Sequence, residues 1–424
     1  MDPRRGLIPA RRRRPGELFV LHKSAMSIAV LTSVVLSAPT QLLPQNSAVA
    51  EEAAKPTVTG QAISIGSRTP AGVHSTDQLS ATHFTMLGAT WRGDADPRIE
   101  FRTSYQGTWS SWRELDTAHT YAPADDAPGV GSEAAQPEPA PTAATNVRWV
   151  GPSDGVQIRV FGDQVRDPEA VLVDSGVLPG DHAGADAPVA AQDPAANPTK
   201  APQPRIRTRQ AWGAEESWRS GEPTYNHTLK QAHLHHTAGT NAYSKADVPA
   251  IIRGDYWYHT QILGWSDLAY NFVVDKFGRI WEGRAGGVSR PVRGAHTLGF
   301  NHASVGIAAV GDLSTARPSE QLMGALVRLT AWKLDKYDRR PAGRTRMISQ
   351  GSDLYPTGAR VRLPVIDGHR DTNETACPGK LYAKLPAIRD RAQRRADTTV
   401  PMRRPSAPRP PGGPGVPPSP HAAP

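Results

Sequence analysis

The stretch "LKQAHLHHTAG", beginning at Leu229, sets His233, His235 and His236 within four residues where a strand would ordinarily carry Val or Ile. If residues 232–237 form a strand, period-two alternation sends His233 and His235 to one face and His236 to the other. At most two of the three can then serve one site. Far along the chain, "GHRDTNETACPG" carries His369 and the single cysteine, Cys377. A hydrolytic zinc site needs three protein donors, drawn from His, Cys and carboxylate, and one position left for water. His235, His369 and Cys377 supply that number from separate places in the chain. The spacing of His369 and Cys377 matches no compact finger, and a lone cysteine is most often a small buried apolar group. One cysteine also forbids an internal disulfide. Metal ligand, free thiol and packing residue all stay open at this level.

The elements that must position these residues are legible as pattern. After the histidine strand, a helical stretch opens at Ser244 and runs to about Leu263. "AYNFVVDKFGRIWEGR" reads as a hairpin around residues 276–278, "SVGIAAVGD" as a buried strand and "PSEQLMGALVRLTAWKLDKY" as an amphipathic helix. "PVIDGHR" reads as a strand end and "KLYAKLPAIRDRAQRRA" as a last basic helix. Strands interleaved with helices over residues 204–395 predict an α/β domain with a mixed central sheet and flanking helices. Its ligand site belongs at strand ends and loops. Residues 57–180 carry a different grammar. "RIEFRTSYQGTWSSWREL" alternates about a Gln106-Gly107 turn, and "VRWVGPSDGVQIRVFG" and "AVLVDSG" repeat strand and turn, which predicts a smaller all-β domain, a sandwich, with no catalytic constellation. Trp109 and Trp112 there suit either sugar stacking or packing.

The 424 residues, 38% apolar and 21% charged, allow roughly two domains, and forty prolines imply long connecting segments. A Pro/Ala-rich loop at about 122–145, a linker over 183–203 and a Pro-rich tail over 400–424 are expected to be unpacked. Few contacts should cross that linker, so a chain starting near Pro204 is expected to fold alone. The net charge of +9 is unevenly spread. Residues 51–200 hold ten basic and twenty acidic groups, residues 201–400 hold 29 and 18, and the two ends carry the remaining excess. A basic second half suits an anionic polymer partner, and wall polymers qualify as well as nucleic acid; a solvated surface has the same pattern. Within residues 1–50, an arginine run precedes "SAMSIAVLTSVVLSA", an apolar run too short to span a bilayer comfortably, and "AVA" ends at Ala50. This reads as a removable export signal, leaving a secreted, wall-associated protein without a stable membrane anchor.

In this order, "HHTAG", "GWSDLAYNFVVDKFGRIWEGR", "GAHTLGFNHASVGIAAVGD" and "GHRDTNETACPG" resemble the peptidoglycan recognition protein domain, related to phage T7 lysozyme and the type 2 N-acetylmuramoyl-L-alanine amidases. The resemblance covers about residues 205–395. It implies Zn²⁺ on His235, His369 and Cys377, catalytic roles for Tyr270 and Thr375, and substrate groove positions at His296 and Asn301. Arg284, Arg290 and Arg293, in a loop where Gly286 and Gly287 permit close approach, are placed to pair with stem-peptide or muramic carboxylates. His233 is expected beside the ligands and His236 in packing. Two departures stand out. The disulfide general in animal members cannot form, and Ala308 occupies the place where recycling amidases carry a glutamate. Glu282 and Asp367 are carboxylates of the right chemistry for a base, but salt bridging suits each better. The resemblance implies a monomeric amidase acting on peptidoglycan, not nucleic acid. An idle peptidoglycan-binding module and a zinc peptidase cutting within the stem are the competing readings.

Overall fold

The computed structural model describes residues 57–66, 69, 72–93, 96–115, 143–184, 187–192 and 201–398. The expected export signal, nearly all of the 122–145 loop and the Pro-rich tail lie outside the described residues. No helix among the described residues is long and apolar enough to cross a membrane.

The first half is all-β, as expected. Its strands are β1 (Thr59–Ser64), β2 (Val73–Ser75), β3 (Leu79–Arg92), β4 (Arg98–Tyr105), β5 (Thr108–Trp109), β6 (Arg113–Leu115), β7 (Ala143–Ala144), β8 (Arg148–Phe161) and β9 (Arg166–Asp174). Hydrogen bonds join them in the order β1-β9-β3-β8-β4-β5, with β2, β6 and β7 off this path. The sandwich expected from sequence is thus one connected network, because β3 pairs with β7, β8 and β9 alike. Gln106 and Gly107, at φ 49° and 78°, make the tight turn between β4 and β5. Trp109 and Trp112 are half-buried and stacked under Arg102 and Arg159. Alternation along β9 feeds two cores. Ala170 and Leu172 pack with Phe84, Phe101 and Ile158, while Val171 and Val173 pack with Met86 and Trp149 against residues of the second half.

The second half contains β10 (Ile206–Arg207), β11 (Gln231–His236), β12 (Phe272–Val274), β13 (Ile280–Glu282), β14 (Ser304–Ala309), β15 (Arg344–Ile348), β16 (Arg360–Pro364) and β17 (Ile366–Gly368). The helices are α1 (Asp247–Trp257), α2 (Glu320–Asp335) and α3 (Leu385–Asp397). The sheet order is β10-β13-β12-β14-β11-β17, parallel except for the β12–β13 hairpin. This is the predicted mixed sheet. All six residues of β11 are buried, because both faces are covered. Ala232 and Leu234 join Ile307, Leu326 and Ile388 in one core, whereas Val273 and Trp281 face α1 in the other. The β15–β16 hairpin escapes the sequence reading, since its Arg-x-Arg pattern resembles a solvated loop. Its inner face, Met347 and Leu363, packs on Phe300.

Among the described residues the two halves pack against each other, and the described ends of the 183–203 segment are paired. Ala187 and Ala201 are buried, Ala190 N–H donates to Ile206 O at 2.8 Å and Thr208 N–H to Pro188 O at 3.0 Å. The main joint is Arg253 on α1, fully buried. Its guanidinium donates to both Asp181 oxygens at 3.0 Å and to the carbonyls of Ser175, Gly176 and Trp212 at 2.8–3.0 Å. Gly254 follows it because a Cβ there would overlap the Met86 sulfur. A second buried cation fastens a loop. Lys333 on α2 donates to Val288 O at 2.6 Å and Arg290 O at 2.7 Å, while Tyr337 donates to the intervening Ser289 O at 2.9 Å. Burial pushes the Lys333 amine down to about 7, with Lys336 adding to the shift and Glu282 opposing it.

Two outcomes follow from these cations. Arg253→Met leaves Asp181 buried without its partner, so urea unfolding should show a loss of about 3–5 kcal/mol; a loss under about 1 kcal/mol would make the joint dispensable. Lys333 binds its proton more weakly folded than unfolded. Between about pH 7 and 10.5 the unfolded chain therefore holds more protons, and stability from this group rises with pH, by no more than roughly 5 kcal/mol. Lys333→Met should remove that rise; an unchanged slope in this window would refute the assignment.

Candidate metal centre

The site forms where parallel strands end together. β11 pairs with β17 so that Leu234 lies opposite Gly368, which sets the next residues, His235 and His369, side by side. Their ring centroids are 4.6 Å apart. The chain then leaves β17 in a short turn and returns Cys377, with Arg370 N–H donating to Cys377 O at 3.1 Å. The result is a set of donor atoms from His235, His369 and Cys377 that all lie within 4.8 Å of one another. A tetrahedral ion with ligand bonds of about 2.0–2.3 Å needs donor separations of roughly 3.3–3.8 Å. Cys377 Sγ stands 3.9 Å from His235 Nδ1, so the residues fit Zn²⁺ with little movement.

Ring orientation is set from behind. His235 Nε2 lies 3.1 Å from His296 Nδ1, which leaves His235 Nδ1 as the nitrogen facing Cys377. A ligating Nδ1 must be unprotonated, so Nε2–H donates and His296 Nδ1 accepts; the tautomers follow from this network. His235 is held well below the usual histidine range by burial first and then by His369 and His296, which keeps it neutral as a ligand must be. His296 is held in place in turn. Asn301 Oδ1 accepts from His296 N–H and Thr297 N–H at 3.0 and 3.1 Å, and a Cβ at Gly306 would overlap the His296 ring. The thiol has its own donor. His236 N–H points at Cys377 Sγ at 3.4 Å, favouring the thiolate.

The sequence-derived residues are distributed as follows. His235, His369 and Cys377 come together. Tyr270 is half-buried with its ring 5.4 Å from that of His235, at the rim of the site. Thr375 is half-buried, and its hydroxyl accepts Cys377 N–H at 3.1 Å. His296 and Asn301, expected in the groove, are 6% and 1% exposed, with His296 behind His235 and Asn301 behind His296. Arg284 is also buried, donating to Ser266 Oγ at 2.8 Å and to Arg293 O at 3.3 Å. Arg293 is half-buried and donates to Asn226 Oδ1 at 3.0 Å, while the exposed Arg290 stacks on Tyr225. His236 faces away, with Nδ1 accepting Leu313 N–H at 3.0 Å.

His233 and Asp367 form a layer beneath the ligands. Both are fully buried with His233 Nδ1 2.9 Å from Asp367 Oδ1, and Gln231 donates to Asp367 Oδ2 at 2.5 Å. Burial pushes the Asp367 carboxyl up to about 6, against the pull of His233. Its burial and pairing are those of a structural carboxylate. Ala308 lies directly opposite His235 in the β11–β14 register, so the strand supplies no carboxylate there. Sequence reasoning missed Asn226, whose amide donates to Asn301 O at 2.9 Å. It also missed His259, stacked on Trp265 with centroids 4.7 Å apart behind Tyr270. Neither sits in a motif that advertises it.

A family model described as N-acetylmuramoyl-L-alanine amidase matches residues 225–380, and one described as Rv3811 N-terminal galactose-binding domain-like matches residues 39–203. Peptidoglycan-recognition protein SC2 of Drosophila melanogaster is 29% identical over 175 residues, covering 41% of this chain and 80% of the relative. Peptidoglycan-recognition protein SC1a/b of Drosophila simulans is 30% identical over 151 residues, covering 36% and 68%. Among solved structures, Drosophila PGRP-LB is similar at 27% identity over 43% of this chain and 92% of that chain, with a TM-score of 0.34. Through its second half, the chain belongs to the family of peptidoglycan recognition proteins and type 2 N-acetylmuramoyl-L-alanine amidases.

Proposed function

We propose that the chain is a secreted, monomeric, zinc-dependent N-acetylmuramoyl-L-alanine amidase that hydrolyses the amide between the muramic acid lactyl group and L-alanine of peptidoglycan. Family membership supports hydrolysis or binding of peptidoglycan. The observation that carries the enzymatic reading is the convergence of His235, His369 and Cys377 within 4.8 Å, a donor set that leaves a fourth position for water. Zinc bound there supplies Lewis acidity toward the amide carbonyl and lowers the pKa of water from 15.7 toward about 7.

The protein's own groups divide the remaining work. His296 accepts from His235 and holds its ring, and Asn301 holds His296. The N–H of His236 stabilises the Cys377 thiolate, and the Thr375 hydroxyl orders the turn that presents it. Tyr270 stands at the rim, where its phenol can donate to the carbonyl oxygen as negative charge develops. Arg293 and Arg290 are the basic groups of the loop with surface left for a stem carboxylate. Ala308 opposite His235 and the buried Asp367 supply no base, and in this reading Tyr270 takes the oxyanion-stabilising role.

Digestion of purified wall tests the reaction. New N-terminal L-alanine without new reducing sugar ends is expected, with one zinc per chain, and His369→Ala or Cys377→Ala should lose both metal and activity. Shortened stems would indicate a peptidase, and an unchanged wall a binding module. Tyr270→Phe separates chemistry from packing. Loss of an oxyanion donor costs about 10²–10³ in kcat, whereas an isosteric packing change costs under about 1.5 kcal/mol of stability. The variant should fold, hold zinc and turn over at least about tenfold more slowly; parental turnover would remove Tyr270 from the mechanism.

A further inference from the structure

The β15–β16 hairpin has no part in the chemistry above. Its register sets Arg346 opposite Arg362 and Ile348 opposite Arg360, and with Arg344 these residues share the face away from Phe300. All four arginines are exposed, and Ile348 is 53% exposed. Among the described residues none of the four pairs with a carboxylate; the polar contact is Arg344 Nη2 donating to Arg362 O at 2.6 Å. Like charges directly across an antiparallel pair weaken it. Four guanidinium groups crowded on two short strands, against the hairpin's own stability and without an internal counter-charge, are complementary to an external polyanion.

The hairpin is also built into the site. Its connecting loop donates from Gln350 N–H to Gly299 O at 2.9 Å, three residues from His296. The Ser352 hydroxyl donates to Thr372 O at 2.7 Å, and Asp353 accepts Glu374 N–H at 3.1 Å. Thr372 and Glu374 lie between His369 and Cys377. Whatever the arginines hold is therefore held at a fixed place relative to the metal ligands.

We propose that this arginine face docks peptidoglycan through the stem-peptide carboxylates of strands beside the one being cut. The proposal rests on the peptidoglycan reading above. Guanidinium groups grip carboxylates bidentately, and the repeated stems of a polymer can engage several arginines at once, which a single soluble muropeptide cannot. Exposed pairs of this kind weaken with salt.

The test compares the full chain with R344Q/R346Q/R360Q/R362Q by cosedimentation with insoluble peptidoglycan stripped of phosphodiester polymers, alongside hydrolysis of a soluble muropeptide. The variant should lose at least about tenfold in wall retention at low salt, and added salt should bring the parent toward the variant. Soluble turnover and zinc content should be unchanged, and the melting temperature no lower, since a repulsive array has been removed. Equal retention of parent and variant would overturn the proposal. So would parental retention that disappears with the phosphodiester polymers, which would make those the partner. A parent inactive on the soluble muropeptide would instead defeat the amidase reading, and the retention comparison would still judge the surface.

Discussion

Parallel pairing of β11 with β17, Leu234 against Gly368, is the constraint on which the site depends. Because the strands run in the same direction, their ends coincide, and the residues that follow the last pair, His235 and His369, emerge together. A slip of one residue would turn His235 toward the core under α2 and α3 and bring His236 to the site. The same register across β14 sets Gly306 opposite His233 and Ala308 opposite His235. Glycine at the first of these positions leaves room on the histidine face for the His296 ring. The two histidines of the candidate donor set, the histidine behind them and the space for it are thus consequences of one hydrogen-bonded alignment.

A buried strand carrying three histidines and a glutamine should be costly, since unpaired polar groups in an apolar interior lose their hydration. Here they largely supply partners for one another. Gln231 and His233 take the two oxygens of Asp367, His235 takes His296, and His236 accepts from the backbone of Leu313. The His235 and His236 rings resist rotation because one nitrogen of each is committed to a neighbour. A rigid donor set is what a metal site of this kind requires.

Two buried cations do similar work at larger scale. Arg253 spends three of its hydrogen bonds on carbonyls of residues 175, 176 and 212, and Lys333 spends two on residues 288 and 290. Their principal effect is to hold irregular backbone that no sheet or helix would otherwise satisfy. Through Arg253 the first half becomes a wall for α1. Through Lys333 the loop that follows β13 is fixed on α2. The arginine hairpin, tied by its loop to the segment between His369 and Cys377, extends the same construction to the surface.

The family resemblance carried by four ordered motifs marked His235, His369 and Cys377 as a donor set, and the chain's local pattern was sufficient for the mixed α/β second half, the all-β first half, the turn at Gln106-Gly107 and the opposed faces of His235 and His236. The latter depend on alternation or turn chemistry, which neighbouring residues encode directly. Tertiary structure alone decided the burial of His296, Asn301 and Arg284, the docking of the two halves through Arg253 and the β15–β16 hairpin. These depend on which residues distant in sequence meet, on which face is covered, and on whether a charge finds a carbonyl or a carboxylate. Alternating arginines in "RTRMI" read the same in a solvated loop and in a strand; only the packing of Met347 and Leu363 on Phe300 makes them an ordered face, because burial of the alternate side chains is what turns a local pattern into a strand.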